Sequence, residues 1–420
     1  MKIRKKTTLN VVKNTEDSTD AVIDQVLEEL RKEDEEESSG STENHMMESK
    51  KKIRKKRIAI GIAAVVVVTA AFLVIQMQTY STARISTTYA CDDSGNNSYL
   101  QFSNGVLKYS RDGIAFLDRK GEERWNQPYQ IKSPIVATYY DKAIVVADKG
   151  GNDMLVLDNE GLKGELHANL PIKKVSVSAQ GIVCAVLGDE GSPKIVCYDA
   201  AGNILVELTT SLKGTGYPMD ASMSEDGKML LVSYLCIENN KIVTKVVYYD
   251  FDGKKNNVQD YEVTSDRYED VAAAEVFFMN KKESAVICDD KILFYRGEKT
   301  PKLTETVLLN KKIKSVFHDQ KYVGLILKNE GKAGYELCLF NTSGKKLLSQ
   351  EFVGDYSNVK IDQGQVMMYD GKKCRVFAKN GLEKFDGEMS EPIYEMFPVV
   401  GVNKYVVMSP NGMNVIRFVK

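Results

Sequence analysis

Histidine and tryptophan are scarce in this chain of 420 residues, which contains three of the former and one of the latter. With so few imidazoles and no His-x-x-x-His or Glu-x-x-His spacing, a zinc hydrolase is not expected. Basic and acidic residues number 57 and 58, which gives a formal net charge of −1. This balance argues against a strongly basic nucleic-acid binder and against a wholly acidic disordered protein.

Familiar catalytic motifs are also lacking. The chain has no Gly-x-Ser-x-Gly nucleophile elbow and no Gly-Lys-Ser/Thr phosphate loop. His167 and His318 each stand alone, and a lone histidine is more often structural than a general base. The segment DDSGNN at 92–97 resembles a calcium loop but lacks the distant glutamate, so we interpret it as a turn. We predict no catalytic residue, no cofactor and no metal site, and we favour a protein that is not an enzyme.

The first 57 residues carry their charge in blocks that are basic, then acidic, then basic again. Such a composition cannot bury enough apolar surface to fold alone, so residues 1–57 are predicted to be a disordered cytoplasmic tail. Within the tail, an amphipathic helix is predicted over residues 20–32. Its apolar stripe consists of Val22, Ile23, Val26, Leu27 and Leu30. Two interpretations remain open, a transient solvated helix and a docking motif that folds in the groove of a partner.

An uncharged apolar segment follows the tail. As a helix, residues 58–77 would extend about 30 Å, which is the thickness of the hydrocarbon core, so we predict one transmembrane helix. Because positive charges cluster before this segment, the positive-inside rule predicts a cytoplasmic N-terminus and an extracytoplasmic region 78–420. The charges expected to set this topology and to contact anionic lipid are Lys50, Lys51, Lys52, Arg54, Lys55, Lys56 and Arg57.

Two alternatives to an uncleaved anchor are weighed. A signal peptide cleaved after Ala83 would need a shorter apolar run and a shorter leading segment than this chain has. A buried core helix rarely lacks a polar face over five turns. The anchor is therefore favoured.

A repeat dominates the region 78–420. Its unit is an apolar strand, an Asp or Asn, a turn glycine and a second strand, and it occurs at 113–125, 154–166, 194–208, 245–255, 292–303, 336–348 and 374–385. The turn glycines are Gly121, Gly161, Gly202, Gly253, Gly297, Gly344 and Gly381, with a mean spacing of about 43 residues. This period predicts an all-β fold, a β-propeller built from four-stranded blades. A solenoid or two sandwiches are the alternatives.

The number of blades follows from the length of the region. At about 43 residues each, residues 78–420 provide eight blades, which we favour over seven. The last unit, 391–420, lacks an outer strand, and residues 83–90 are predicted to supply it. The N-terminal strand would then close the ring, because an open ring exposes sheet edges.

The first repeat, GIAFLDRKGEERW, resembles the repeat of pyrroloquinoline-quinone-type propellers, with an apolar strand ending in Asp, a Gly turn and a closing Trp. Residues 58–420 are similar to an uncharacterised family of single-pass bacterial propeller proteins. This resemblance implies shape and topology. It gives little support to dehydrogenase chemistry, since Trp125 is the only tryptophan and most blades lack the docking residue.

Seven cysteines are present, an odd number without tight spacing, so no disulfide framework is predicted. Cys184 and Cys197 are expected on adjacent strands of one blade, where a single cross-strand bridge is the alternative to free thiols.

The favoured function is a membrane-anchored scaffold or sensor of the bacterial envelope, whose tail docks a cytoplasmic partner. The alternatives are an envelope enzyme, a hydrolase or quinone-dependent dehydrogenase with its site in the central funnel, and an anti-sigma-like transmembrane signalling protein. The expected partners are the cytoplasmic membrane and proteins on one or both sides of it, and nucleic acid is not expected.

Overall fold

The structure is a computed structural model that describes residues 43–91, 95–188, 192–211, 214–252 and 261–420. It divides into two units, Met1–Gln78 and Thr79–Lys420. The predicted helix 20–32 with its stripe, Val22, Ile23, Val26, Leu27 and Leu30, lies outside the described residues, as do Gly253 and the start of the segment 92–97.

The first unit contains helix α1 (Glu43–Gln76). It begins upstream of the apolar segment 58–77, so residues 43–57 of the predicted disordered tail are helical, consistent with their content of Met, Glu, Lys and Arg. Lys50, Lys51 and Lys52 lie in this helix, and Arg54, Lys55, Lys56 and Arg57 are exposed on it. Among the described residues, no helix has both the length and the apolarity needed to cross a membrane.

The second unit consists of four-stranded antiparallel sheets, and the described residues form eight of them. Blades 1 to 4 contain β2 (Ser98–Phe102), β3 (Gly105–Tyr109), β4 (Gly113–Leu117), β5 (Glu123–Pro128); β6 (Pro134–Tyr139), β7 (Ala143–Asp148), β8 (Asp153–Asp158), β9 (Gly161–His167); β10 (Ile172–Val177), β11 (Val183–Leu187), β12 (Lys194–Tyr198), β13 (Ile204–Thr209); β14 (Tyr217–Met223), β15 (Met229–Glu238), β16 (Lys241–Asp250) and β17 (Glu262–Glu269). Blades 5 to 8 contain β18 (Ala273–Phe278), β19 (Glu283–Cys288), β20 (Lys291–Arg296), β21 (Lys302–Leu308); β22 (Ile313–His318), β23 (Tyr322–Lys328), β24 (Tyr335–Asn341), β25 (Lys346–Phe352); β26 (Asn358–Asp362), β27 (Gln365–Asp370), β28 (Lys373–Ala378), β29 (Glu383–Glu388); β30 (Glu395–Pro398), β31 (Lys404–Ser409), β32 (Gly412–Val419) and β1 (Thr82–Tyr89). The predicted eight-bladed propeller is confirmed.

The ring closes in blade 8, where the N-terminal strand β1 pairs with the C-terminal strand β32. Thr82 faces Val419 and Tyr89 faces Met413 in an antiparallel register. The predicted contribution of residues 83–90 to the last blade is therefore confirmed. This pairing removes the free edge that an open ring would leave on the outer side of β32.

A second contact joins the N-terminal segment to blade 7. Tyr80 forms a parallel bridge with Phe385 on the outer strand β29, and its N–H donates to the Lys384 carbonyl at 2.9 Å. The Tyr80 ring is only 8% exposed and belongs to a core cluster with Phe385 and Phe418. One short stretch of chain thus ties blade 7 to blade 8.

The repeated motif marks the hairpin between the third and fourth strands of a blade. In blade 1, the Asp118 carboxylate accepts the N–H groups of Lys120 at 2.8 Å and Glu122 at 3.1 Å. Gly121 then takes a φ of 74°, which side chains rarely adopt. The same side-chain acceptor recurs at Asp199 and Asn341. The motif is therefore a turn signal, and local backbone chemistry explains its Asp or Asn and its Gly.

Neighbouring blades dock where an outer strand meets the next turn. The Trp125 indole donates to the Asn159 carbonyl at 3.1 Å, and its ring lies against Gly161 of blade 2. Elsewhere the same position is occupied by an aliphatic side chain, since Leu348 lies against Gly381 of the next blade. The propeller therefore does not need a tryptophan at this position in every blade, because an aliphatic side chain such as Leu348 makes the same contact.

We expect Trp125→Ala to lower the free energy of unfolding by about 1–3 kcal/mol, because it removes a half-buried ring and an interblade hydrogen bond. Trp125→Phe should cost less, since it keeps most of the packing. Urea unfolding followed by circular dichroism is suitable, because the variants lack the only fluorescent indole. Ile237→Ala, at a residue that is 78% exposed, is the control. Equal midpoints for wild type and Trp125→Ala would contradict the docking role.

Candidate functional site

The two histidines of the propeller lie far apart in the ring. His167 ends the outer strand β9, where its Nδ1 lies 2.7 Å from an Asp153 carboxylate oxygen. His318 ends the inner strand β22 and stacks on Phe277 with ring centroids 3.7 Å apart. Its Nδ1 is buried without a hydrogen-bond partner in the described part of the chain, and burial lowers the pKa of His318 to about 4. The structure therefore does not combine them into one site.

A first charged cluster lies on the inner strands of blades 3, 4 and 5. The Lys174 ammonium lies 3.1 Å from one carboxylate oxygen of Asp220, and the other oxygen accepts the Val276 N–H at 2.9 Å. Burial raises the pKa of Asp220, and it also raises the pKa of Glu275 on the next inner strand. This cluster joins three consecutive blades around the axis.

A second cluster joins blades 7, 8 and 1. The Glu395 carboxylate is 5% exposed and accepts hydrogen bonds from Lys360 at 2.7 Å and from the Gln101 N–H at 3.0 Å. The Gln101 side chain in turn donates to Asp362 at 2.8 Å. Lys360, Glu395 and Gln101 lie on the inner strands β26, β30 and β2. Because β2 is near the start of the propeller and β30 near its end, this network also joins the first blade to the last.

One contact reaches across the ring. The Tyr140 hydroxyl, just after the inner strand of blade 2, donates to the Met279 carbonyl of blade 5 at 3.2 Å. In an eight-bladed ring such a bond must pass close to the axis. Tyr140 therefore lies near the axis, at the end of the ring where the inner strands finish.

The inner strands thus carry ionisable groups, as an enzyme with a site in the funnel would require. In the two clusters, however, Lys174 pairs with Asp220 and Lys360 pairs with Glu395 across blade boundaries. No group of three or more His, Cys, Asp or Glu side chains within the described ranges is placed to hold a metal ion. We assign the two clusters a structural role, holding the blades at a constant spacing.

A separate cavity opens between blades 6 and 7, and we call it the blade 6–7 cleft. It has a volume of about 390 Å³, within the range of small ligand sites. Its lining comes from the β23–β24 loop, the end of β25, and strands β28 and β29. The lining residues are Asn329, Ala333, Glu351, Phe352, Val353, Arg375 and Asp386.

The exposed charges of the blade 6–7 cleft are mainly carboxylates. Arg375 is only 17% exposed and is held by Glu383 and by Asp386, the latter at 3.0 Å. Glu351 and Asp386 remain 56% and 50% exposed, and Glu351 is ion-paired with the equally exposed Lys332. Beside them, Val353 is 73% exposed. The cleft therefore offers an apolar contact next to two carboxylates, which is suited to a ligand with apolar and cationic groups.

Sequence reasoning missed the blade 6–7 cleft. Its residues come from two blades, and none belongs to a catalytic or ligand-binding motif.

The family is identified by a match to residues 76–418. The chain belongs to DUF5711, a family of unknown function. This agrees with the resemblance to an uncharacterised propeller family, whereas the membrane anchor and the quinone-type character of the repeats stay predictions. A search among curated proteins gives no match.

Solved structures with similar folds share little sequence with the DUF5711 chain. BamB from Moraxella catarrhalis has a TM-score of 0.44 at 11% identity, over 81% of this chain and 99% of that one. The hydrazine synthase of Kuenenia stuttgartiensis has a TM-score of 0.45 at 12% identity, over 80% and 99%. The Pan2 WD40 domain of Neurospora crassa has a TM-score of 0.40 at 7% identity, over 78% and 92%. No functional conclusion follows from these likenesses.

The lowered pKa of His318, whose Nδ1 is buried, predicts that the stability of the propeller depends on pH. The folded-state pKa of His318 is about 4, below the ordinary value of 6.5. The contribution of its neutral ring to the free energy of unfolding is therefore fully present above pH 6.5. It should fall by up to about 3 kcal/mol as the pH drops to about 4, since the unfolded chain binds the proton first.

His318→Phe should therefore flatten the dependence of unfolding free energy on pH between 6.5 and 4. His167→Phe is the matched control, because that ring is 72% exposed. Urea midpoints measured across this range provide the comparison. An unchanged slope in His318→Phe would show that His318 is not held neutral.

Proposed function

We propose that this DUF5711 chain is a membrane-anchored scaffold or sensor of the bacterial envelope, whose propeller binds a protein partner outside the cytoplasm. The observation that carries this proposal is the contrast between the axis and the blade 6–7 cleft. Around the axis, charges pair across blades and hold the ring together. In the cleft, Glu351 pairs with Lys332 and Asp386 pairs with Arg375, but both carboxylates are half exposed and so accessible to a partner. Val353 beside them is 73% exposed.

The chemistry of the blade 6–7 cleft points to a partner segment with a lysine or arginine beside an apolar residue. A cation of the partner would contact the exposed sides of the Glu351 and Asp386 carboxylates, beside the Lys332 and Arg375 groups that already pair with them. An apolar side chain would cover Val353, which otherwise exposes most of its surface to water.

We base the membrane anchor on the amino-acid sequence of residues 58–77. Residues 58–77 contain no charged side chain, and Val65, Val66, Val67 and Val68 are 48–63% exposed. Four consecutive helical residues cover the whole circumference, so this segment has no polar face. The positive charges immediately before it favour a cytoplasmic N-terminus. The tail stripe from Val22 to Leu30 would then be available to a cytoplasmic partner.

The anchor predicts where the protein fractionates. The full chain should remain in the membrane fraction after carbonate extraction, and a chain beginning at Thr79 should not, because it lacks the apolar segment. A reporter fused after Lys420 that is active only outside the cytoplasm should be active with the full chain. Release of the full chain by carbonate would contradict the anchor. An inactive reporter in a fusion that is present at a normal level would contradict the orientation.

The blade 6–7 cleft predicts a specific crosslink. A photoreactive residue at Val353 should give one discrete protein adduct in living cells, since this side chain borders the cleft. The same residue at Val400, which is 88% exposed in the β30–β31 loop of blade 8, is the control and should not give that adduct. Adding Glu351→Lys should weaken the Val353 adduct at least several-fold through charge repulsion. An adduct that survives Glu351→Lys, or one shared with Val400, would contradict a partner site in the cleft.

A further inference from the structure

Two of the seven cysteines face each other inside blade 3. Cys184 on β11 and Cys197 on β12 are directly opposed in the antiparallel register. Opposed residues on antiparallel strands have Cα atoms about 4.5–5.5 Å apart, which falls within the range of about 4.4–6.8 Å found in disulfides. The backbone is therefore already placed for a bond between the two sulfur atoms.

The two side chains also point to the same side of the sheet. Both are 1% exposed, and both belong to the core cluster that packs blade 3 against Leu230 and Tyr234 of blade 4. A hydrogen bond with the Cys197 thiol and burial raise the pKa of the Cys184 thiol. Their direct opposition on the two strands and their shared core cluster place the two thiols side by side.

Other cysteines have different neighbours. Cys374 lies beside the Met396 sulfur at 3.7 Å, and Cys236 donates to the Thr215 carbonyl at 3.4 Å. Across the strands, Cys288 faces Ala273. In the described registers, Cys184 and Cys197 are the one pair of cysteines that face each other.

We propose that Cys184 and Cys197 form a disulfide bond when the chain folds outside the cytoplasm, an inference whose cellular part rests on the proposed location. The oxidant is a disulfide of a thiol oxidoreductase or of a small thiol. One cysteine thiolate attacks this disulfide, forms a mixed disulfide and releases the first thiol of the oxidant. The second cysteine thiolate then attacks the protein sulfur of the mixed disulfide and displaces the second thiol of the oxidant. The cysteine pair loses two protons and two electrons, and the oxidant is released as two thiols.

The reaction must precede the packing of blade 3 against blade 4. Once the blades are packed, both thiols are buried, and the raised pKa of Cys184 keeps that thiol protonated, whereas only a thiolate attacks a disulfide. The bond therefore forms on an early hairpin of β11 and β12, and folded reduced protein should oxidise slowly.

Oxidative refolding of the full chain in detergent, with a mixture of oxidised and reduced glutathione, tests the geometry. After alkylation and proteolysis, mass spectrometry should find a peptide pair linked through Cys184 and Cys197, about 2 Da lighter than the two free peptides, because the bond removes two hydrogens. Thiol titration should show five free thiols of the seven in the sequence. The unfolding midpoint should rise by a few degrees relative to reduced protein, and Cys184→Ser should abolish this rise. A reduced Cys184–Cys197 pair in folded protein, or a different pairing, would overturn the proposal.

A second arm separates this inference from the proposed location. Cells are quenched with acid and alkylated before lysis, and the state of Cys184 and Cys197 is read together with the C-terminal reporter. A linked pair supports the proposal. A reduced pair with the reporter outside the cytoplasm overturns it, whereas a reduced pair with the reporter inside overturns the location, and the refolding result then decides the geometry.

Discussion

The pairing of β1 with β32 is the interaction on which the rest of the propeller depends. Each blade is a sheet with two apolar faces, and a ring buries all of these faces only if the first and last blades meet. Tyr80, bonded to the edge of β29, extends the closure to blade 7. The Gln101–Glu395 contact between blades 1 and 8 exists only because the ring is closed.

Closure also explains how charge is distributed. Around the axis, strands from different blades converge, and groups such as Lys174 and Asp220 satisfy each other at short distance. Buried or half-buried ion pairs contribute little to the free energy of folding, but they favour one arrangement of the groups that they join. Between blades 6 and 7 the strands diverge, and the carboxylates of Glu351 and Asp386 keep access to solvent. The closed ring is thus a support for the blade 6–7 cleft, which exposes two carboxylates and an apolar side chain.

The fold was largely predictable because its signals are local. Asp118 and Gly121 make a turn by themselves, and the spacing of such turns along the sequence gives the period of the repeat. Because the last unit lacks an outer strand, residues 83–90 could be predicted to supply it. The blade 6–7 cleft was not predictable, since Glu351 and Asp386 lie on different blades and meet only after the blades pack. The Tyr140–Met279 bond was missed for the same reason, because nothing near either residue signals a contact across the axis. The sequence predicted that Cys184 and Cys197 lie on adjacent strands, but only the structure shows that they are directly opposed.

The most direct test of this account is strand complementation. A chain beginning at Thr79 should unfold in one cooperative thermal transition, whereas a chain beginning at residue 92 should not, because blade 8 lacks its outer strand. Adding a synthetic peptide of residues 79–91 should restore the transition at a one-to-one ratio, and a Tyr80→Ala peptide should require a higher concentration. If the chain beginning at residue 92 unfolds cooperatively at the same temperature without the peptide, ring closure by β1 is not the constraint that holds the propeller together.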